Sequence, residues 1–429
     1  MKLAQRSWFS SSSAKRKRVG LTATDMIAVI IQLNLSAVSV KMSDHDMLHP
    51  VIHWLEGEEE KSALWRSENG TPPPRKVVIA DDRMAAATAY RLACEGTALL
   101  WHGDYQNARQ LLQAMARRCS DKPKKTKKIN IIDTEPSQAF HLYRQAQAQR
   151  ARTLGMLLLP FNADHSLPLR RAPDVRLACK EAYGNAGEQQ YVASLRGLLG
   201  IIGAHEWRRN GVEISALKSR IHPYYGVFSP IRGEYVDLLA ETPLPKLVEN
   251  HSIAFDIGTG TGVLAAVLAR RDIKRIVATD QDQRALDCAR ENILRLGLDA
   301  QVEVMQADLF PEGRAALVVC NPPWVPARPS SPLEYAVFDP DSRMLKGFLH
   351  GLKDHLLLGG EGWLILSDIA EHLGLRSRAL LLNWIDAAGL QVTGRQDVRP
   401  THPRASDASD TLHAARAAEM TSLWRLTMK

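Results

Sequence analysis

The chain has 429 residues, of which 45% are apolar and 24% charged, and its formal net charge at pH 7 is +8. This length and composition predict a soluble globular protein with two or three domains. The cysteines show no paired spacing, which argues against a disulfide framework or a zinc site and predicts a reducing compartment, the cytoplasm. They are Cys94, Cys119, Cys179, Cys288 and Cys320.

Residues 1–43 differ in composition from the rest of the chain. They hold seven basic residues and one acid, and so carry +6 of the net charge of +8. Met26–Val40 is apolar but is interrupted by polar residues and is too short to span a bilayer. The segment is compatible with a transit peptide or with a true translation start at Met42. We favour a basic tail that is disordered or artefactual.

Residues 44–215 are predicted to form a substrate-recognition region that is mixed α/β or mostly helical. The pattern contains no glycine turn and no series of carboxylates, which argues against a second catalytic unit here. Its predicted elements are a helix beginning in His49–Leu55, a strand at Lys76–Ala80, and helices at Met84–Cys94, Asn107–Arg118 and Ser137–Arg152.

Positive charge is concentrated in the middle of the chain. Arg109–Arg176 holds fourteen Lys and Arg residues against five Asp and Glu residues, and it includes the run Lys122–Lys128. Outside this window and the tail the chain is net negative. The local excess predicts docking on an acidic surface, with nucleic acid or the ribosome as the foremost candidates. The alternative for Lys122–Lys128 is a solvated interdomain linker.

The carboxyl-terminal part, residues 216–429, contains a strand, a glycine turn and a helix in succession. Ser252–Asp256 leads into Gly258–Gly262, which is followed by the Ala- and Leu-rich run Val263–Arg271. This order allows a nucleotide-like ligand to approach backbone amides and a helix start. The glycines also satisfy a dinucleotide fingerprint, with Asp280 at about the expected ~20 residues downstream. A nicotinamide- or flavin-dependent oxidoreductase therefore remains an alternative.

Three aspartates stand at the ends of three successive predicted strands. Asp256 precedes the glycines, where a carboxylate repels a pyrophosphate and attracts a cationic amino-acid group. Asp280 is placed to accept from a ribose diol, and Asp308 from an adenine amino group. Together they fit S-adenosylmethionine, which carries an ammonium, a sulfonium and a diol and has no phosphate. The alternative for each aspartate is a helix cap or a turn former.

A proline-stiffened corner follows the next strand. Ala316–Cys320 is a continuous apolar run that predicts a central strand, and Asn321, Pro322, Pro323 and Trp324 end it. The Asn321 side-chain oxygen and the Pro322 carbonyl can accept the two hydrogens of an NH2 group, and Trp324 offers a flat face for stacking. The alternative is a simple strand terminator with a core tryptophan. Val325–Ser331 is predicted to be an irregular, lid-like segment.

In this order and at these spacings, the motifs Asp256–Gly262, Thr279-Asp280, Ala307-Asp308 and Asn321–Trp324 resemble class I S-adenosylmethionine-dependent methyltransferases. More narrowly they resemble the methyltransferase small-domain group, which includes HemK-type glutamine N-methyltransferases and ribosomal RNA guanine N-methyltransferases. Arg232-Gly233-Glu234-Tyr235 stands where the HemK-type pattern usually has Pro-Arg-Pro-Glu, which weakens glutamine as the substrate.

The resemblance implies a Rossmann-like, seven-stranded sheet whose last strand, Thr421–Leu426, is antiparallel. Other predicted carboxyl-terminal elements are a helix at Met344–Leu357 capped by Gly359-Gly360, a strand at Gly362–Ser367, a helix at Arg376–Ala388 and a short strand at Leu390–Thr393.

The resemblance also implies S-adenosylmethionine as cofactor and an N-methyltransferase activity. The cofactor-binding residues would be Asp256, Gly258, Gly260, Gly262, Asp280 and Asp308, and the catalytic residues Asn321, Pro322, Pro323 and Trp324. No metal is expected. The acceptor would be a planar NH2 nitrogen of a ribosome-associated protein or RNA, either a glutamine amide or a base. A non-catalytic RNA-binding protein with a degenerate methyltransferase fold is the remaining alternative.

Overall fold

A computed structural model describes residues 50–120, 135–329, 332–401 and 410–429. The predicted basic tail and the run Lys122–Lys128 lie outside these ranges. The described residues form a six-stranded sheet, a seven-stranded sheet and a two-stranded hairpin between them in sequence. No helix within the described ranges combines the length and the apolar character that a bilayer crossing requires.

The six-stranded sheet is mixed, with the strand order β1-β2-β6-β5-β4-β3. Strand β4, which lies between β5 and the edge strand β3, is fully buried, because alternate side chains pack into separate apolar clusters on the two faces of the sheet. The strands are β1 (Val51–Glu56), β2 (Glu59–Trp65), β3 (Lys76–Ala80), β4 (Thr97–Trp101), β5 (Leu157–Phe161) and β6 (Tyr191–Ser194). The helices are α1 (Ala86–Cys94), α2 (Tyr105–Ser120), α3 (Pro136–Gly155), α4 (Arg176–Tyr183) and α5 (Leu195–Asn210).

This region is therefore mixed α/β rather than mostly helical. The predicted strand at 76–80 and the three helices later in the region are confirmed. The predicted helix start at His49–Leu55 is wrong, because residues 51–55 lie in β1, which pairs antiparallel with β2. Gly57 adopts φ +68°, and the resulting turn closes a hairpin that the short apolar pattern of the first strand did not reveal.

The seven-stranded sheet has the order β11-β10-β9-β12-β13-β15-β14, and β15 runs antiparallel to both of its neighbours. The predicted Rossmann-like sheet with an antiparallel last strand is confirmed. The strands are β9 (Ile253–Ile257), β10 (Arg275–Asp280), β11 (Val302–Gln306), β12 (Ala315–Cys320), β13 (Leu356–Ser367), β14 (Leu390–Val398) and β15 (Thr421–Met428). All six residues of β12 are buried, as the apolar run predicts for a central strand.

Helices cover both faces of this sheet. They are α6 (Glu234–Glu241), α7 (Leu247–Asn250), α8 (Val263–Arg270), α9 (Gln283–Arg295), α10 (Arg343–His355), α11 (Ile369–His372), α12 (Arg378–Ala387) and α13 (His413–Ala418). The apolar residues of α8 belong to one core cluster, and those of α10 to a second cluster on the other face. Because β11, β10, β9 and β12 pair in parallel, they end together at one edge of the sheet.

Two predicted boundaries in this half are corrected. Gly359 and Gly360 do not cap a helix, because α10 already ends at His355 and both glycines lie inside β13. Gly359 has φ +81°, and the pairing of β12 with β13 shifts register there, as expected at a bulge. The strand predicted at 390–393 extends to Val398, because β14 pairs with the whole length of β15.

A short hairpin and polar contacts connect the two sheet units. The hairpin consists of β7 (Val212–Ile214) and β8 (Ser219–Ile221), and the predicted domain boundary between residues 215 and 216 falls inside it. Arg208 of α5 donates to Glu291 of α9 at 3.0 Å and lies 3.9 Å from the ring centroid of Tyr224. The two units are therefore in direct contact beside the carboxyl-terminal sheet.

Candidate active site

A cavity of about 1000 Å³ opens where β9, β10, β11 and β12 end. This is the edge at which open α/β sheets bind ligands. Its wall includes the glycine turn after β9, Asp280, Asp308, and the corner that follows β12. The structure thus brings most of the residues predicted from the four motifs around one space.

The glycine turn requires glycine at three positions. Gly258, Gly260 and Gly262 have φ values of +72°, +55° and +80°, which are unfavourable for residues that carry a Cβ. Gly258 and Gly260 line the cavity, whereas Gly262 does not. A Cβ on Gly262 would lie 3.3 Å from Ala289 of α9, so this glycine permits close packing of the turn against a helix.

Asp256 lies beneath the turn, fully buried and outside the cavity lining, rather than facing a ligand directly. Its Oδ2 accepts from the Thr259 hydroxyl at 2.7 Å and from the Ala265 amide at 3.0 Å, while Oδ1 has no hydrogen-bond partner among the described residues. Burial raises the pKa of Asp256 to about 6, against the lowering effect of these two hydrogen bonds. The carboxylate shapes the turn and the start of α8 and contributes negative potential near the cavity.

Asp280 and Asp308 both line the cavity, but in different environments. The Asp280 carboxylate accepts from the Gly260 amide and the Asp282 amide, each at 3.0 Å. Burial raises the pKa of Asp280, partly offset by these hydrogen bonds. The Asp308 side chain is 73% exposed and lies 3.6 Å from an Arg343 nitrogen. Asp280 is therefore held rigidly, whereas Asp308 stands at the cavity rim.

All four residues of the corner line the cavity. Trp324 is partly buried, and its indole Nε1 donates to Asn321 Oδ1 at 2.9 Å. An amide oxygen has two lone pairs, so Asn321 keeps one acceptor position besides the one used by the indole. Pro322 has a carbonyl and no amide donor. The corner can therefore accept two hydrogens from one incoming amine.

Arg232 lines the cavity, although it was not among the predicted site residues. Its guanidinium lies 5.0 Å from the Trp324 ring centroid, which covers one face of the indole. It also bonds to Glu234 at 2.6 Å and to Glu419 at 3.0 Å. Burial lowers the pKa of Arg232, and the carboxylates of Glu419 and Glu234 raise it, with a net rise. Glu419 lies 187 residues after Arg232, so no local sequence pattern could reveal that these two residues form an ion pair.

Helix α3, from the amino-terminal region, also reaches the cavity. Phe140, Tyr143 and Arg144 line it, and Phe140 packs in an apolar cluster with Val325 and Phe338. The spacing of two aromatic residues three positions apart was the one available signal for a buried face. No spacing could show that this face meets the carboxyl-terminal sheet.

Two alanine substitutions in the glycine turn are expected to separate folding from ligand binding. Both Gly260→Ala and Gly262→Ala place a Cβ in the left-handed region, at a cost of about 1–2 kcal/mol. Gly262→Ala adds crowding against Ala289, so its melting temperature should fall further. Gly260 lines the cavity, and a Cβ at this position would have no protein atom within 4 Å. The Gly260→Ala side chain should therefore occupy space that a ligand would use, and this variant should bind ligand more weakly. Thermal unfolding measures the melting temperatures, and calorimetry measures ligand affinity. An equal effect of the two substitutions on ligand affinity would contradict the assignment of Gly260 to ligand binding and of Gly262 to packing.

A known protein family matches part of the chain. Residues 218–368 match the profile of the methyltransferase small domain. Over these residues the chain is similar to the methyltransferase small domain. The matched range includes all ten site residues predicted from the motifs, and the resemblance to the methyltransferase small-domain group is confirmed for it.

The relatives of this chain include ribosomal protein L11 methyltransferases and release factor glutamine methyltransferases. A ribosomal protein L11 methyltransferase of Pelotomaculum thermopropionicum is 44% identical over 80 residues, which are 18% of this chain and 26% of that protein. A release factor glutamine methyltransferase of Cereibacter sphaeroides is 31% identical over 185 residues, which are 40% of this chain and 61% of that protein. The chain thus spans about a quarter of the first relative and less than two thirds of the second.

Among solved structures, a ribosomal protein L11 methylase from Lactobacillus delbrueckii subsp. bulgaricus is 16% identical, with a TM-score of 0.30. The alignment covers 46% of this chain and 79% of that chain.

Proposed function

We propose that the protein is an S-adenosylmethionine-dependent N-methyltransferase that acts on a planar NH2 nitrogen of a protein or RNA of the translation machinery. The observation that carries this proposal is that the glycine turn and the Asn321–Trp324 corner face one cavity. The names of the relatives, which refer to a ribosomal protein and to release factors, support a translation-associated acceptor.

The donor end of the cavity suits a cationic ligand better than a phosphate. Gly258 and Gly260 provide a turn without side chains, against which a ligand can pack. Each Asp280 oxygen accepts one amide hydrogen and keeps capacity for a hydroxyl of a ribose diol. A pyrophosphate would be repelled by Asp280, Asp308 and the buried Asp256, whereas an ammonium and a sulfonium are attracted. This charge pattern favours S-adenosylmethionine over a nicotinamide or flavin dinucleotide.

When bound, S-adenosylmethionine supplies an electrophilic methyl group on a positively charged sulfur. Asn321 and Pro322 would accept the two hydrogens of the acceptor NH2 and thereby orient the nitrogen lone pair. Their oxygens also stabilise the positive charge that grows on those hydrogens. Because Arg232 covers one face of Trp324, we assign the other face to the planar acceptor group. The methylated nitrogen is then acidic enough to lose a proton without a strong base.

The first test measures the donor and the acceptor separately. Calorimetry should show binding of S-adenosylmethionine and S-adenosylhomocysteine, and not of NAD or FAD. Ribosomes, translation factors and RNA are then incubated with the protein and a methyl-labelled donor, and the products are digested with protease or with nuclease. Label released by only one of the two enzymes identifies the acceptor as protein or RNA. Tight binding to RNA without any transfer would instead support a non-catalytic RNA-binding protein.

Trp324→Phe is expected to lower the rate of methyl transfer and to leave the affinity for the donor nearly unchanged. Phenylalanine keeps an aromatic face but cannot donate to Asn321 Oδ1, so the amide loses the contact that orients it. Loss of one such orienting hydrogen bond should reduce kcat by about tenfold and leave the donor Kd nearly unchanged. Steady-state kinetics with calorimetry measures both. A variant with full activity would show that the indole N–H does not position Asn321.

A further inference from the structure

The aromatic face of α3 meets the same apolar cluster as the Asn321–Trp324 corner. Phe140 is 4% exposed and belongs to a cluster with Val325, Phe338, Leu373 and Leu412. Tyr143 and Trp324 both pack against that cluster. A helix that begins more than 170 residues before the β12 corner in sequence therefore forms part of the wall beside it.

A buried ion pair fixes this contact. Arg144 Nη2 lies 3.1 Å from Glu334 Oε2, with side-chain exposures of 13% and 1%. Arg144 also donates to the Arg328 carbonyl at 2.9 Å, and its guanidinium lies 4.1 Å from the Phe338 ring centroid. Burial lowers the pKa of Arg144, and Glu334 raises it. Because a planar guanidinium makes directional hydrogen bonds and stacks on rings, it fixes geometry better than a lysine would.

The loop that Arg144 holds is continuous with the corner. Val325 follows Trp324 directly, and its amide donates to the Val337 carbonyl at 3.2 Å, while its carbonyl accepts from the Asp339 amide at 2.9 Å. Arg144 contacts this loop at residues 328, 334 and 338. A change in the ion pair should therefore reach Trp324 through Val325 and its two backbone hydrogen bonds to Val337 and Asp339.

We propose that α3 forms the acceptor-side wall of the cavity and that Arg144 and Glu334 are positioning residues for the Trp324 loop. This inference rests on the proposed methyl transfer. The cavity volume of about 1000 Å³ lies at the upper end of the roughly 300–1000 Å³ range of small-molecule sites, which leaves room for a donor and an acceptor group. The aromatic rings of Phe140, Tyr143 and Phe338 suit a planar, uncharged acceptor group. The amino-terminal unit thus completes the wall of the active site.

The test uses the full-length chain and the variants Glu334→Gln, Arg144→Met, the double variant and Arg144→Lys. The matched control is Arg91→Ala, which breaks the exposed Arg91–Glu95 pair on α1. Transfer of labelled methyl groups to the ribosome, factor or RNA fraction gives kcat and KM, and calorimetry with S-adenosylhomocysteine gives donor-site affinity. Hydrogen exchange of the amides in residues 325–329 and 332–339 reports the order of these described parts of the loop without an acceptor.

Glu334→Gln and Arg144→Met are each expected to lower kcat/KM by about 10- to 100-fold, the size that misplacement of a reacting group produces. The double variant should fall no further than the worse single variant, because both remove one coupled interaction. Affinity for S-adenosylhomocysteine should stay within about twofold of wild type. Exchange should accelerate in residues 325–329 and 332–339 and not in β9. Arg144→Lys, which keeps the charge, should be intermediate, and Arg91→Ala unchanged.

Unchanged kcat/KM together with unchanged exchange in the loop would overturn the positioning role. Parallel loss of S-adenosylhomocysteine affinity and transfer would also overturn it, because the pair would then support the whole fold. A wild-type protein that neither binds donor nor transfers label refutes the proposed function itself. In that case the exchange measurement still decides whether the pair orders the loop.

Discussion

We expect Asn321→Ala to lower kcat by about 100- to 1000-fold, the loss measured when a polar group that stabilises a transition state is removed. The alanine cannot accept a hydrogen of the acceptor NH2, and the Trp324 indole loses its hydrogen-bond acceptor as well. Donor affinity should change by no more than about twofold, because the side chain is assigned to the acceptor. Label transfer and calorimetry with S-adenosylmethionine measure the two effects.

Asn250→Ala is the matched control, since Asn250 is exposed at the end of α7 and lies outside the cavity. Its kinetics should equal those of the wild type. If Asn321→Ala instead weakened donor binding in proportion to the loss of transfer, Asn321 would have to be reassigned to the donor site. Because Trp324→Phe removes only the orienting contact, its kcat should lie between those of the wild type and Asn321→Ala.

The features of the site that the sequence predicted are those that depend on short segments. A strand followed by positive-φ glycines, and a strand ended by Pro322-Pro323, are each determined by backbone sterics within a few residues. Parallel strands then bring their carboxyl ends to one edge. That is why Gly258, Gly260, Asp280 and Asn321 could be expected near one another before any tertiary contact was known.

The features that it missed depend on contacts between distant segments. Arg232 is placed by Glu419, 187 residues away, and Arg144 by Glu334, 190 residues away. The sequence correctly placed Asp256 at a strand end but could not show that it points beneath the turn. The direction of that side chain follows from the packing of α8, which brings the Ala265 amide within 3.0 Å. Local patterns do not determine such tertiary contacts.

The position of Asp256 predicts that Asp256→Asn makes the protein more stable and a weaker binder of its donor. Burial raises the native pKa from its usual 3.8 to about 6, so the folded state pays for an ionised, buried carboxylate above pH 6. That penalty corresponds to about 1–3 kcal/mol, and it disappears as the pH falls below the unfolded-state pKa near 4. The variant should therefore exceed the wild type in free energy of unfolding at pH 8, and the difference should vanish near pH 4.

The negative charge of Asp256, which destabilises the folded state, should strengthen donor binding. Above pH 6 the ionised Asp256 attracts the cationic donor, so Asp256→Asn should weaken affinity for S-adenosylmethionine by about tenfold, or about 1.4 kcal/mol. As the pH falls through 6 and Asp256 becomes protonated, the donor affinity of the wild type should decline toward that of Asp256→Asn. The variant lacks this carboxylate, so its affinity should not change with the titration of Asp256. Calorimetry and chemical denaturation across pH 4–8 measure both trends, with the exposed Asp299→Asn as control. Equal donor affinity at pH 8 would show that Asp256 serves only to shape the turn, because the Asn carbonyl can still accept from Thr259 and Ala265.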